Sequence, residues 1–416
     1  MQVLYDIFIV VLGLGIKLAS FFNKKVALLY NGRKTSFDLI SQKIDDSSQV
    51  IWMHCASLGE FEQGKPVFEA LKLKYPTYSF ALSFFSPSGF EICKNYALAD
   101  VVFYLPLDSK KNAEQLIQLL NPKILILVKY DYWYNLISVL QKRKIQIVVI
   151  SAIFRTNQIF FSFYGKWFLD KLTQINHFFV QNLASEQLLN QHGISQTTIS
   201  GDTRYDAVRS LKNNAKNIPF LDIFCENHKI IVVGSSWEND EKLWIKYINN
   251  ELQKGVKIII APHEINKTKI EKLKNLINKK SICYSEINQE KLIADELRQA
   301  KVVILNTVGL LKNVYSYATI AYVGGGLNKT GVHNVLEPAT YGIPVIYGAN
   351  FKKYQEAIDL VSCKGGFVVK NHADLQQILT SLLSSSSLLL EAGKNARNLV
   401  ESAPKSTEII VENLIV

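Results

Sequence analysis

The sequence predicts two successive doubly wound α/β domains, each a parallel sheet covered by helices on both faces, behind an apolar N-terminal helix. Three observations predict this. The chain has 416 residues, too many for one ordinary core and suited to two domains of roughly 150–200 residues each. After residue 45, short apolar runs without polar alternation recur between longer amphipathic stretches, as in strands buried on both faces. The cycle then restarts beyond a polar stretch at 209–228.

In the first half, strands are expected at 49–54 (QVIWMH), 78–83, 101–105, 124–128 (ILILV), 145–151 (IQIVVIS), 177–181 and 197–200. Helices fill the gaps. One covers 62–74, with Pro66 near its first turn, where the missing N–H costs little. A second runs to Tyr96 from a Ser88 cap, and a third covers 110–120, closed by Asn121-Pro122. Others lie at 135–144, 162–174 and 185–192. Segment 209–228, polar around Pro219, reads as a linker. The second half places strands at 230–234 (IIVVG), 256–261, 301–305, 320–323, 343–347 and 366–369. The serines at 384–387 form a loop between helices, and the apolar tail 408–416 is a helix that must pack on something. The organisation is therefore an anchor at 1–25, a Rossmann-like domain at 36–208, the linker, a second Rossmann-like domain at 229–400, and a C-terminal helix at 401–416. Ligands of such sheets bind at strand C-terminal edges, so the expected site is a cleft faced by both domains.

Residues 3–22 (VLYDIFIVVLGLGIKLASFF) carry only Asp6 and Lys17 as charges, a length that just spans a hydrocarbon core. Lys24, Lys25, Arg33 and Lys34 follow, which places the next domain on the cytoplasmic side. A spanning anchor and a helix lying in the interface both fit. No small-residue cleavage site follows the run, which argues against a signal peptide. Lys and Arg number 47 against 36 Asp and Glu, a net charge of +11 that suits nucleotides, phospholipid surfaces or phosphorylated glycolipids. Five scattered cysteines give no disulfide framework and fit a reducing compartment, and seven unpaired histidines give no zinc spacing.

Two motifs carry chemistry. The first, 54–60 (HCASLGE), joins a strand to a helix; Ser57 and Gly59 allow a tight turn with free helix amides, and Glu60 projects at the strand edge. Glu60 is either a general base or a helix-start carboxylate that complements the dipole. The second, 324–344, runs from three glycines including Gly325 through Thr330-Gly331-Val332-His333-Asn334-Val335-Leu336-Glu337-Pro338-Ala339 to Gly342-Ile343-Pro344. The glycines allow close backbone approach, the segment from His333 reads as a phosphate-binding helix start, and Glu337 suits a ribose hydroxyl pair. Ser235 in 234–238, Pro262 and His263 in 261–264, and Val308, Gly309 and Leu310 in 306–310 sit on further strand-end loops. Gly201-Asp202-Thr203-Arg204 supplies a cation in the first half. A GxGxxG fingerprint is absent, which weighs against hydride transfer.

In order, these pieces resemble the 3-deoxy-manno-octulosonic acid (Kdo) transferase family of lipopolysaccharide assembly: the apolar N-terminus, the S-x-G-E loop, Ser86-Pro87-Ser88-Gly89, the Leu105–Asp108 segment and the H-N-x-L-E start at His333. The resemblance implies a GT-B fold and inverting transfer from CMP-Kdo to a lipid A precursor, lipid IVA, at the cytoplasmic side of the inner membrane. It implies no cofactor, no metal and no nucleic-acid partner. It makes Glu60 the general base and gives Arg204 the transition-state role of a family lysine. It assigns the nucleotide to Pro262-His263, Val308–Leu310 and Asn334–Glu337. Lys129 stands where the family has a catalytic carboxylate, Glu264 and Leu310 break two further family patterns, and no arginine precedes His263. Two other readings remain open: a GT-B transferase or epimerase using a nucleoside-diphosphate sugar, and a membrane-tethered nucleotide-binding protein without turnover.

Overall fold

Aliphatic and β-branched runs have no polar face to give to water, so they form strands only where both faces are covered. The computed structural model describes residues 1–45, 47–213, 217–287 and 294–414. The chain divides into two units, 1–207 with 404–416, and 208–403. Three helices precede the first strand: α1 (Gln2–Ala19), α2 (Lys24–Lys34) and α3 (Ser36–Lys43). The strands of the first unit are β1 (Val50–Cys55), β2 (Ser79–Phe84), β3 (Val101–Tyr104), β4 (Pro122–Val128), β5 (Gln146–Ala152), β6 (His177–Val180) and β7 (Thr197–Ile199). All pair in parallel, in the order β3-β2-β1-β4-β5-β6-β7. The second unit holds β8 (Lys229–Ser236), β9 (Val256–Pro262), β10 (Ser281–Cys283), β11 (Val302–Ile304), β12 (Ile320–Val323), β13 (Val345–Gly348) and β14 (Gly366–Val369). These are also parallel, in the order β10-β11-β9-β8-β12-β13-β14. The order reverses between β1 and β4 and again between β8 and β12. At those switch points successive crossovers leave to opposite faces and open a crevice at the strand C-terminal ends.

Several expectations change in detail. Helix α4 (Leu58–Lys74) begins at Leu58, so Pro66 lies in its interior and not in its first turn. Ser86, not Ser88, caps the helix Pro87–Cys93; its hydroxyl accepts the Ser88 N–H at 3.2 Å. The stretch 209–228 read as a linker holds helical segments. The helix Arg204–Asn213 runs into it, and the helix Pro219–Cys225 buries Phe220, Leu221 and Phe224 in the core of the second unit. The C-terminal stretch is likewise two pieces. The helix Ser386–Ser402 ends in the second unit, whereas Ser406–Asn413 returns to the first. There Ile410 and Leu414 join the cluster of Met53, Phe61 and Phe68 under β1 and α4. Lys74 of α4 donates to the Val411 carbonyl at 2.6 Å.

The first unit therefore needs its distant C-terminal segment to close its core. Ile410 is fully buried. Ile410→Ala removes a buried side chain from a packed site and is expected to cost about 2–5 kcal/mol. Urea denaturation should register that loss; a shift below about 0.5 kcal/mol, the scale of a surface change, would remove the segment from the core.

Candidate active site

The first unit places its chemistry at the β1/β4 switch point. Ser57 caps α4, and Ser57 with Glu60 forms a capping box in which the Glu60 carboxylate accepts the Ser57 N–H at 3.1 Å. Glu60 is half-buried, and Gly59 beside it is exposed. Burial pushes the Glu60 carboxyl above its ordinary range, and the nearby Asp131 charge pushes it the same way; His54 and Lys129 pull it down. Lys129 follows β4 with a left-handed backbone, φ 66°. It therefore stands by charge and position beside the expected base.

Sequence reasoning missed the residues that frame this pair. His54, buried at the end of β1, has Nδ1 2.8 Å from the Ser83 hydroxyl and Nε2 2.8 Å from Asp131 Oδ2. Trp52 Nε1 donates to Ser83 at 2.8 Å, and Trp133 Nε1 donates to Asp131 at 3.1 Å. A His54 carrying its proton on Nε2 satisfies the whole chain. Phe85 stacks on Trp133 at 5.0 Å, and the Arg33 guanidinium of α2 lies 4.5 Å over Phe85. The signal for Asp131 was its spacing, two residues after Lys129, on the loop that leaves the strand next to β1. Arg204 lies at the start of the helix Arg204–Asn213, with its guanidinium on Asp202 at 2.6 and 2.9 Å. Asp202 is buried, so the cation is held in a fixed place and partly neutralised.

The second unit gathers most of its expected residues at the β8/β12 switch point. Ser235, next to last in β8, has φ 51°. A Cβ on Gly324 would come within 2.3 Å of the Ser235 carbonyl, so only glycine allows this approach. Gly325 has φ 89° and faces His333, and its N–H donates to Asp240 at 2.9 Å. Asp240 is fully buried, and it also accepts Tyr322 O–H at 2.6 Å and Trp237 N–H at 2.9 Å. It thus ties the glycine loop to the helix Glu238–Asn250. Nothing in the sequence marked it, because its cap position is occupied by Trp237, a residue that rarely signals a helix start.

Three rings complete this edge. Trp237 Nε1 donates to His333 Nε2 at 2.8 Å in nearly coplanar rings, and His263 stacks on both, at 4.6 Å and 4.4 Å. His333 accepts on Nε2, and burial with the neighbouring His263 lowers it to about 4, so it is neutral at pH 7. Burial lowers His263 as well. The helix expected from His333 is one turn, Leu336–Ala339. Its first amide is already taken, since Leu336 N–H donates to Asn334 Oδ1 at 3.2 Å. Val335 and Leu336 are core residues and can offer a ligand only backbone. Asn334 Nδ2 donates to Glu337 at 3.2 Å, which orients that carboxylate. Gly309, φ 94°, and Leu310 lie on the separate loop after β11, where Val308 is 81% exposed. A cavity of about 240 Å³ opens beside Trp237, and Pro262 alone of the expected residues lines it.

Residues 31–207 match the protein family described as 3-deoxy-D-manno-octulosonic-acid transferase. The chain is 27% identical over 357 residues to such a transferase of Aquifex aeolicus, covering 82% of this chain and 88% of that one. It is 25% identical over 393 residues to that of Chlamydia trachomatis, covering 92% and 90%. The fold resembles UDP-GlcNAc 2-epimerase of Neisseria meningitidis, with a TM-score of 0.63, 13% identity, and 88% and 98% of the two chains covered. It also resembles a glycosyltransferase of Rickettsia africae, with a TM-score of 0.55, 13% identity, and 88% and 97% covered. These structural likenesses show the two-domain GT-B fold.

The charges around Glu60 give a test that needs no substrate. Its carboxyl should titrate above the usual glutamate range; Asp131→Asn should lower that midpoint and Lys129→Met should raise it. Because the folded value lies above the unfolded one, this group's contribution to stability is present at acid pH and lost as pH rises through the folded value. Carboxyl ¹³C titration reads the midpoints directly. Equal midpoints in the two variants would separate Lys129 and Asp131 from Glu60.

Proposed function

We propose that this chain, which belongs to the Kdo transferase family and is a glycosyltransferase, transfers Kdo from CMP-Kdo to a lipid A precursor, lipid IVA, with inversion and without metal or cofactor, at the cytoplasmic face of the inner membrane. The observation that carries this reading is Glu60: a half-buried carboxylate with a raised pKa, fixed by a capping box at a switch-point strand edge. An acceptor hydroxyl is a poor nucleophile at neutral pH. Glu60 takes its proton as attack on the anomeric carbon proceeds. The leaving CMP carries the growing negative charge. Arg204, held by Asp202, supplies a cation that offsets that charge. Lys129 fills the family's carboxylate position; its ammonium lowers the Glu60 pKa and so keeps more of the base ionised. Glu337, oriented by Asn334, is the ribose contact, and His263 with neutral His333 flanks the nucleotide.

Purified full-length chain, CMP-Kdo and lipid IVA should yield a product heavier by one or more Kdo units, with CMP released. Turnover of a UDP-sugar in place of CMP-Kdo, or CMP binding with no transfer, would overturn the assignment. Two substitutions separate the roles. Glu60→Gln keeps the acceptor of the capping box, so it should stay folded, bind CMP as before and lose ~10²–10⁴ in turnover. Glu337→Ala should weaken CMP binding by about 1–3 kcal/mol. Near-normal turnover in folded Glu60→Gln would leave that residue as a helix cap alone.

A further inference from the structure

Helix α1 is long and apolar enough to cross a membrane by composition, yet it is not a free rod. One stripe of it is spent on the first unit. Gln2 Nε2 donates to Asn135 Oδ1 at 2.8 Å, and Asn135 Nδ2 donates to Asp6 Oδ1 at 2.9 Å. Tyr5 O–H donates to the buried Asp108 at 2.7 Å, and its ring packs on Tyr134 and Trp167 at 5.1 and 5.7 Å. Ile9 is buried, and Gly13 abuts Leu107. The spacing 2, 5, 6, 9, 13 is one helical face. The same Asp108 accepts the N–H groups of Asn135 and Leu136, the start of the helix Tyr134–Lys142, so the seam is built into the fold.

The opposite face is apolar and uncovered: Val3, Leu4, Ile7, Phe8, Val11, Leu14 and Leu18 are exposed, and Phe22 is 91% exposed just beyond. Exposed Lys17, Lys24 and Lys25 line its far end. The first unit carries a second exposed apolar point. Phe163 is 97% exposed, in the turn before the helix that carries Trp167, whose ring packs on Tyr5 of α1, and Lys166 at the start of that helix is exposed.

We propose that α1 lies flat in the interface of an anionic bilayer, its polar seam on the first unit and its apolar face in the lipid, with Phe163 as a second insertion point. This rests on the membrane-acting enzyme proposed above. A spanning α1 would need its first turn at one leaflet and Lys24 at the other, about 30 Å apart. Yet the one folded unit binds the helix from Gln2 to Gly13, and its charged surface would have to enter hydrocarbon. A flat helix keeps every seam bond, gives only apolar side chains to the lipid and sets lysines at the headgroups.

The experiment uses the full chain with an epitope before Met1. Co-sedimentation is measured with phosphatidylethanolamine–phosphatidylglycerol vesicles and with phosphatidylcholine vesicles. Protease access to the epitope is measured from each side of the inner membrane in spheroplasts and in inverted vesicles. Binding to the anionic vesicles, with the epitope cut only on the side that carries the folded units, is the expected result. Phe163→Glu, a change at the surface, should weaken vesicle binding roughly tenfold. Anionic-vesicle binding with the epitope cut from the opposite side overturns the flat topology and leaves the membrane reading standing. No vesicle binding, with the chain sedimenting as a dimer that covers α1, overturns both. Unchanged binding by Phe163→Glu removes the second insertion point, and equal binding to phosphatidylcholine removes the role of the lysines.

Discussion

Every described strand of both sheets runs parallel to its neighbours, and the chemistry follows from that constraint. A parallel pair cannot be joined by a tight turn, so each strand must hand over to a helix on one face or the other. All strand C-terminal ends then lie along one edge of the sheet, where loops turn into helix starts. At β1/β4 and β8/β12 the crossovers part to opposite faces, and the edge opens. Glu60, Lys129, Asp131 and Gly325 follow strands at these two places, and Ser235 lies at the end region of one. The positions come from topology; the residue types then decide what the edge can do.

Loops at such an edge are tied by carboxylates, of which Asp108 and Asp240 are buried and Asp131 partly so. Asp131 binds His54 and Trp133, Asp240 binds Tyr322, Trp237 and Gly325, and Asp108 binds Tyr5 and two amides of the helix Tyr134–Lys142. Each joins segments far apart in sequence. A buried carboxylate costs desolvation unless several donors meet it, and burial raises Asp240 even so. That makes these contacts demanding in geometry: a loop that drifts leaves a buried charge short of donors. Rigidity at a reacting edge is therefore a by-product of where the acids are buried.

This also explains what was legible in the sequence. Strand runs such as 124–128 and 320–323 were readable because continuous apolarity has few other outcomes. Asp131, Asp240 and Asp108 as loop ties were not, since their partners lie on other elements and no periodicity encodes them. The stretch 209–228 misled for a related reason: Phe220, Leu221 and Phe224 fit a single short helix, too few turns to show a period beside polar neighbours. The N-terminal run concealed most. Its composition reads as a membrane span, while the seam that keeps α1 on the first unit depends on Gln2, Tyr5 and Asp6, which hydropathy averages away.

The two roles open to Glu60 turn out not to compete. A capping box employs one carboxylate oxygen, here the one that takes the Ser57 N–H, and fixes the side chain's rotamer at the first turn of α4. Proton transfer needs a base held within hydrogen-bond reach of its target, so the cap would supply the positioning that the proposed role of Glu60 requires. Backbone hydrogen bonding from Ala56 stabilises the charged form, while burial and Asp131 oppose it. A carboxylate whose pKa is raised in this way is a stronger base than one in water. Lys129 adds to the side that favours charge. With Asp131 already beside Glu60, a further carboxylate at position 129 would push Glu60 toward its protonated form, whereas the Lys129 ammonium favours the ionised form that the proposed role needs.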